Sequence, residues 1–585
     1  MTRFAFGPLP WLALFIVAPL LLSDFYVGLL DYIMISAVIV IGIVLLTGVI
    51  GMVSFGQAAF AGLGAYTSAY LAVAYGVSPW LALPAGLVVT GFAAVLIGLI
   101  TLRMSGHFLV LATLAWGISF FYLVGSLPYF GGQNGYAGVP VLNFFGTELT
   151  NDRSMYYLIL AMLVATVWMS RNLLDSTMGR AIRSIRYGVA IGDSVGANTF
   201  ALRLLIFVLA AVYAGLAGWL YAHLQHFINP TPFSLEMGIE YLFMAVIGGA
   251  SSVWGGILGA GVVTLVDRML QAWLPRLIGQ AGNFSMVVFG VVMLIVLQTA
   301  RQGLWPFLAA FNRRKSREYQ PRRPTGETGA FPAPGTTVLN VENAVKQFGG
   351  LTAVNELTFN VEAGRILGLV GPNGAGKSTM FNLITGLIPA SSGNISFLGK
   401  NIVGKPSRDI ARMGIGRTFQ HVKLVPTMTV LENAAVGSYI RSKTGLFATL
   451  LRLDRTAERR ALEEAAYQLE RCGLLALQGE LASILPLGQQ RILEIARVLS
   501  LHPVLLLLDE PAAGLRYQEK QELAKLLLQL KAEGAAILLV EHDMDFIRQV
   551  ADGVVVMQYG QKLAEGSVAD MQRNVAVREA YLGVD

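Results

Sequence analysis

Charge is what this chain has least of. Only 14% of its 585 residues are Asp, Glu, Lys or Arg and 55% are hydrophobic, whereas a soluble globular chain carries about 25% charged residues. That balance excludes a protein wholly surrounded by water. Cysteine is nearly absent: Cys472 stands alone, which excludes an intrachain disulfide and suits a reducing compartment. No basic patch interleaved with aromatics occurs in the more polar half, so the net charge of +7 predicts no nucleic-acid partner. Lys and Arg beside membrane spans, which hold loops on the cytoplasmic side, account for it better. The charge is also unevenly placed. Residues 1–100 hold very few charged side chains, while 401–585 have the composition of a soluble protein. At ~100–200 residues per domain the length calls for several domains, and the split predicts a membrane half followed by a cytosolic half.

What is present in the first half is long apolar runs. A span needs ~20 mostly apolar residues, and the candidates are 8–22, 27–50, 57–75, 79–101, 107–126, 156–170, 201–224 and 283–300. Met1–Leu22 carries Arg3 and an apolar stretch but no small-residue cleavage site, and reads as a retained first span. The stretch 239–265 is apolar but broken by glycines at 248, 249, 255 and 256. At 1.5 Å per residue it reaches only ~40 Å as helix, too short for two crossings, so it reads as a hairpin bent at the glycines. With that hairpin on the outer side, the tract Arg313, Arg314, Lys315, Arg317, Arg322 and Arg323 and the loop 171–200, with Arg171, Arg180, Arg183 and Arg186, all fall inside. Arg103 and Arg3 also fall inside, and 127–155 and 225–238 outside, which obeys the positive-inside rule. Whether 239–265 is re-entrant or two short spans stays open.

Two segments stand out from plain apolar helix. Residues 51–66 are dense in small residues, which permit close helix packing; Ser54 and Gln57 within them are candidates for a pathway lining. The loop 178–193 alternates basic and apolar residues at helical spacing, as a short amphipathic helix that docks on a partner does. The stretches GMVSFGQAAFAGLGAYTSAYL (51–71), GRAIRSIRYGVAIGDSVGAN (179–198), AVYAGLAGWLYAHL (211–224) and IGGASSVWGGILGAG (247–261) resemble the permeases of branched-chain amino acid (Liv-type) ABC importers. The resemblance implies that 179–198 is the coupling helix that contacts an ATPase.

Residues 312–336 are basic and then rich in Pro, Gly and Thr, which reads as a flexible tether. The expected organisation is therefore an all-α polytopic membrane domain over 1–311, a linker over 312–336, and an α/β P-loop domain over 337–585. In that last part the apolar strand 366–370 runs into Gly371, Pro372, Asn373, Gly374, Ala375, Gly376, Lys377, Ser378 and Thr379. This is GxxxxGK[ST] in strand–loop–helix context. The glycines let backbone N–H groups face phosphates, and the helix N-terminus adds its dipole. Lys377 would reach the β- and γ-phosphates and Ser378 would hold Mg²⁺. A second apolar strand ends in Asp509 and Glu510; Asp509 suits Mg²⁺ and Glu510 is placed to activate the attacking water.

These residues match the ABC cassette across 337–585. By that resemblance Gln420 is the Q-loop glutamine that senses Mg²⁺ and the permease, His542 the switch histidine at the γ-phosphate, and Phe348 the aromatic that stacks on adenine. The signature departs from the family's Leu-Ser-Gly-Gly-Gln: the chain has Leu485, Pro486, Leu487, Gly488 and Gln489. Pro486 offers no hydroxyl and no N–H, so contact with the opposing ATP is left to Gly488, Gln489 and the helix N-terminus. Arg516 stands where the family's D-loop has Asp or Asn. The implied function is an ATP-hydrolysing importer subunit for branched-chain or similar small solutes in a bacterial cytoplasmic membrane. Its implied partners are an external solute-binding protein and either a second copy or related permease and ATPase subunits. An exporter or flippase half-transporter is the alternative, and a membrane-tethered ATPase that signals rather than transports is a third class. The substrate is not fixed by these residues.

Overall fold

The computed structural model describes residues 8–278, 303–309, 318–323 and 331–582 apart from 105–106, 145 and 443, with scattered positions between 287 and 299. The chain divides into two compact units. One comprises Met1–Leu174 and Phe200–Arg314, the other Asp175–Thr199 and Lys315–Asp585.

The first unit is helical, as apolar segments without water must be to satisfy their own backbone. Its helices are α1 (Pro8–Leu21), α2 (Asp24–Ile43, continued by a π-helical stretch to Ile50), α3 (Gln57–Tyr75), α4 (Pro79–Thr101), α5 (His107–Ser126) and α6 (Asp152–Leu174). After the loop that belongs to the second unit come α9 (Thr199–Gln225), α10 (Leu235–Gly248) and α11 (Val253–Ile278). Among the described residues six helices are long and apolar enough to cross a membrane: Asp24–Ile50, Pro79–Thr101, Phe108–Ser126, Asp152–Leu174, Thr199–Gln225 and Val253–Trp273. The expected span 8–22 forms only a 14-residue helix, ~21 Å long and short of the hydrocarbon thickness. The expected span 57–75 is helical over its full length but falls outside these six, because its small and polar residues dilute its apolarity. Most of 283–300 lies outside the described residues.

The small residues of α3 serve packing. A Cβ on Gly64 would lie 2.3 Å from the carbonyl oxygen of Gly215 on α9, so the two backbones touch directly. Ser54 and Gln57 are both buried. The break at the glycines is present as well: Gly249 (φ 114°) ends α10 and α11 starts at Val253. A Cβ on Gly259 would meet the Met244 carbonyl oxygen at 1.8 Å, which is why these two helices can lie so close. One expectation needs correcting. The second arm does not end at 265 but runs through Asp267 and Arg268 to Ile278. Its 26 residues reach ~39 Å, enough for one crossing.

The second unit contains two sheets. β1 (Thr337–Phe348), β2 (Leu351–Glu362), β4 (Ser392–Phe397) and β5 (Lys400–Asn401) form an antiparallel sheet in the order β2-β1-β4-β5. β3 (Ile366–Val370), β6 (Ile415–Arg417), β7 (Leu505–Asp509), β8 (Ala536–Val540), β9 (Gly553–Gln558) and β10 (Gln561–Gly566) form the main sheet, ordered β6-β7-β8-β3-β9-β10. Its first five strands are parallel and β10 returns antiparallel. β7 and β8 are buried at every position, as uninterrupted runs such as Leu505–Leu508 demand. Ligand chemistry in such sheets gathers at the carboxyl ends of the strands.

A helical cluster, with Leu431, Leu462, Leu469 and Leu493 in its core, stands beside the main sheet. The tether is less free than its composition suggests. Much of 312–336 lies outside the described residues, but Tyr319 N donates to Gln478 Oε1 at 3.0 Å and Arg322 N to the Glu463 carbonyl oxygen at 3.1 Å. Composition predicts chain stiffness but not the tertiary partners that fix these residues.

Candidate functional site

The P-loop follows β3 as expected and leads into the helix Lys377–Ile384. Gly376, the residue before that helix, has φ 99°, and a Cβ there would lie 2.3 Å from the Ala353 carbonyl oxygen. Only glycine fits on both counts. Lys377 is 6% exposed and its Nζ donates to the carbonyl oxygens of Gly371 (2.7 Å) and Pro372 (2.9 Å). The loop thus curls around its own ammonium group. Burial pushes that ammonium below its ordinary pKa, against the pull of Glu510 and Asp509. Ser378 and Asn373 are exposed at the mouth of the loop.

Two carboxylates meet this loop from the end of β7. Asp509 is buried, and its Oδ1 has no hydrogen-bond partner. Burial raises its pKa, opposed mainly by Arg417, whose guanidinium is 3.9 Å from Oδ2. A buried carboxylate oxygen with an open lone pair fits a cation. Glu510 adopts φ 49°, a conformation that costs a non-glycine residue ~1–3 kcal/mol and clusters at functional sites. Its Oε1 accepts from Gln420 Nε2 at 3.3 Å and lies 3.2 Å from His542 Nε2.

Lys377, Gln420, Asp509, Glu510 and His542 are therefore gathered at one mouth. Phe348 and the signature are elsewhere. Phe348 is exposed at the tip of the β1–β2 hairpin, with Lys346 Nζ 5.0 Å from its ring centre. Pro486 precedes the helix Leu487–Leu499 with extended backbone, and its carbonyl accepts from Gln490 N at 3.0 Å. Gly488 and Gln489 lie in the first turn of that helix.

Three residues that the motifs did not single out hold the cluster in place. Arg491 donates to the Glu510 carbonyl oxygen at 2.6 Å. Glu541, buried, accepts from Ala512 N (2.6 Å) and His542 N (3.1 Å), linking the segments after β7 and β8. Arg417, also buried, donates to Asn382 Oδ1 and Thr385 Oγ1 on the P-loop helix at 2.7 and 2.8 Å. The signal available for Arg417 was a guanidinium at the end of a buried strand, where an unpaired charge cannot stay.

The loop 175–199 packs within the same unit. Its helices are α7 (Thr177–Ile185) and α8 (Val189–Ser194). Ser176 caps α7, and Ile182 (0% exposed) and Ile185 (2%) are buried. Arg180, also buried, pairs with Glu458, with its second amino group 3.1 Å from Oε2. Arg183 meets Glu432 at 3.0 Å, and Arg412 Nε donates to the Gly196 carbonyl oxygen at 3.1 Å. Burial alone would raise the Glu432 carboxyl, but Arg183 and the Thr429 N–H hold it below its ordinary range. The arginines of this loop thus bind specific carboxylates on the cassette.

Comparison with known proteins joins the two halves. The sequence model of the branched-chain amino acid transport system permease component matches residues 25–297, and that of the ABC transporter matches 354–513. The model of the branched-chain amino acid ATP-binding cassette transporter matches 561–585. The high-affinity branched-chain amino acid transport ATP-binding protein LivG of Salmonella typhimurium is 44% identical over 249 residues, 42% of this chain and 98% of that protein. The chain belongs to the branched-chain amino acid ABC transporter family. Within that family the BraF protein of Pseudomonas aeruginosa is 41% identical over the same share of each chain. A crystal structure of a nucleotide-free ATP-binding cassette from an ABC transporter is 33% identical, covering 43% of this chain and all of that one with a TM-score of 0.39. This family member therefore carries a permease domain and an ABC ATPase cassette in one multi-pass chain.

Proposed function

We propose that the chain is the permease-plus-ATPase subunit of an importer that moves branched-chain or similar hydrophobic amino acids across a bacterial inner membrane, driven by ATP hydrolysis. The division into a permease over 1–311, a linker over 312–336 and a cassette over 337–585 goes with this reading. The observation that carries it is the Glu510 carboxylate, shared by Gln420 and His542 beside the P-loop lysine. ATP would lie on the backbone of 371–379 with Phe348 against the adenine. Glu510 would take a proton from the attacking water, and His542 would meet the γ-phosphate. Mg²⁺, which neutralises phosphate charge when bound, would be held by Ser378, Gln420 and Asp509, with the free Asp509 Oδ1 as its best support.

The exposed Ile484, Leu487 and Tyr517 around the signature and D-loop suit a face covered by a second cassette. Gly488 and Gln489 of one cassette would serve the nucleotide of the other. A second copy or related subunits would complete the transporter, and an external solute-binding protein would deliver the solute. The buried contacts of α7 support a cytosolic loop 175–199. The exporter alternative loses ground because the permease half and the LivG relative share one transport system by name.

The deciding experiment reconstitutes the full chain in proteoliposomes with a branched-chain amino acid-binding protein on one side and ATP on the other. Labelled leucine should accumulate on the ATP side only when both are present, and Lys377→Ala should stop it. Movement of solute away from the ATP side would establish the exporter instead.

A further inference from the structure

Large apolar side chains are rarely held open to water by a well-built turn. Phe447 is 79% exposed, Leu451 47% and Leu453 74%, all within the segment that leads into the helix Arg455–Arg471. This knuckle is built rather than frayed. Thr449 and Leu450 between them are buried, Leu453 N donates to the Ala448 carbonyl oxygen at 2.8 Å, and Thr449 Oγ1 donates to Asp454 Oδ2 at 3.3 Å. Arg452 takes the left-handed conformation (φ 58°) that turns its two leucine neighbours outward.

The charges around the knuckle are one-sided. Glu458, Glu463 and Glu464 are engaged by Arg180, Arg459 and Arg441. Arg452, Arg455 and Arg460 are exposed and make no ion pair among the described residues. Asp454 is half-buried and accepts from Thr449, so the exposed charge of the knuckle is basic.

The knuckle also stands next to the loop between two membrane-crossing helices. Thr177 lines one cleft, about 390 Å³ in volume, with Thr444, Asp454 and Arg460, and Thr177 Oγ1 donates to Glu458 Oε2 at 2.7 Å. Thr177 follows Leu174, the last residue of α6, by three residues. A loop that joins two spans lies at the membrane face, and three residues reach at most ~11 Å. An exposed apolar tip with three exposed arginines in the same short segment has the make-up of an interfacial anchor.

We propose that residues 446–460 anchor the cassette to the cytoplasmic leaflet, with Phe447, Leu451 and Leu453 entering the acyl edge and Arg452, Arg455 and Arg460 meeting anionic headgroups. This rests on the reading of 175–199 as a cytosolic loop of a membrane-spanning permease.

The test uses the full chain in lipid nanodiscs with Cys472→Ser and a bimane probe at Phe447→Cys or Leu453→Cys. Reference probes sit at Val88→Cys on α4 and Tyr559→Cys on the cassette, both exposed. Brominated lipids should quench 447, 453 and 88 but not 559. Quenching at 447 should be at least twofold stronger with about a third phosphatidylglycerol than in pure phosphatidylcholine, and Arg452→Glu with Arg455→Glu should erase that difference. A silent 447 beside a quenched 88 overturns the anchor and leaves the transporter reading intact. Silence at 88 removes both. A pyrene at 447 that forms excimers between copies shows a protein-covered face, which also overturns the anchor.

Discussion

The guanidinium of Arg491, in the helix that follows the signature, donates to the backbone carbonyl oxygen of Glu510 at 2.6 Å. The bond fixes a carboxylate residue whose backbone is itself left-handed (φ 49°). It joins the helix that would face the partner's nucleotide to the residue that would activate water in this cassette. A charge-assisted bond of this kind contributes ~1.5–3 kcal/mol. Arg491→Ala should therefore lower the ATPase kcat by ~10–100-fold while ATP binding stays near normal, and Arg491→Lys should recover part of the loss. Equal activity of Arg491→Ala and parent would remove the link.

If Glu510 acts as the general base, Glu510→Gln should bind ATP with near-normal affinity and hydrolyse it at least ~100-fold more slowly. Equilibrium binding and single-turnover hydrolysis on the same preparation separate the two effects. Retained turnover would take Glu510 out of that role.

The loop 175–199 should be a coupling element. Ile182→Asp or Ile185→Asp places a charge where the structure has buried methyl groups, and uptake should fall while basal ATPase persists. Arg180→Ala leaves Glu458 half-buried without its partner, a loss of ~3–5 kcal/mol for a buried pair, and the double variant with Glu458→Ala should recover much of it. Transport that survives the aspartates shows a loop with no coupling role.

Pro486 occupies the N-cap of its helix and has no N–H to donate there. Pro486→Ser should therefore be tolerated, with ATPase unchanged or raised by no more than ~100-fold, since a bond to a charged group is worth ~1.5–3 kcal/mol. Collapse of activity would mean that the proline is needed for the shape of the signature.

His502 gives the cassette a pH dependence. Burial, with Arg441 and Arg471 nearby, pushes its pKa down to about 4, against ~6.5 in an unfolded chain. Between those values the unfolded state binds a proton that the folded state does not, so stability falls as the pH is lowered from 6.5 to 4. Thermal unfolding of the full chain over that range should show a declining Tm, and His502→Gln should flatten the decline. Identical slopes for variant and parent would exclude His502 as the source.

The P-loop, the Asp509–Glu510 strand end and the apolar helices were legible because each is a local pattern. Gly376 must have a positive φ wherever such a loop forms, and β7 must be buried if it reads Leu505–Leu508. The end of α11 was not legible, because Asp267 and Arg268 look like a boundary when their surroundings are unknown. The same holds for Tyr319 and Arg322, whose composition suggests a free tether although they bond to Gln478 and Glu463.

By itself the sequence determined the membrane and ATPase halves, the P-loop motif and the amphipathic character of 178–193, since composition and short-range periodicity carry these. Only the tertiary structure decided that Arg180 and Arg183 seek Glu458 and Glu432, that Arg491 holds Glu510, and that Arg417 joins the P-loop helix to Asp509. Those pairs are separated by between 19 and 278 residues in the chain. An electrostatic contact depends on distance in space, and chain folding sets that distance independently of sequence separation.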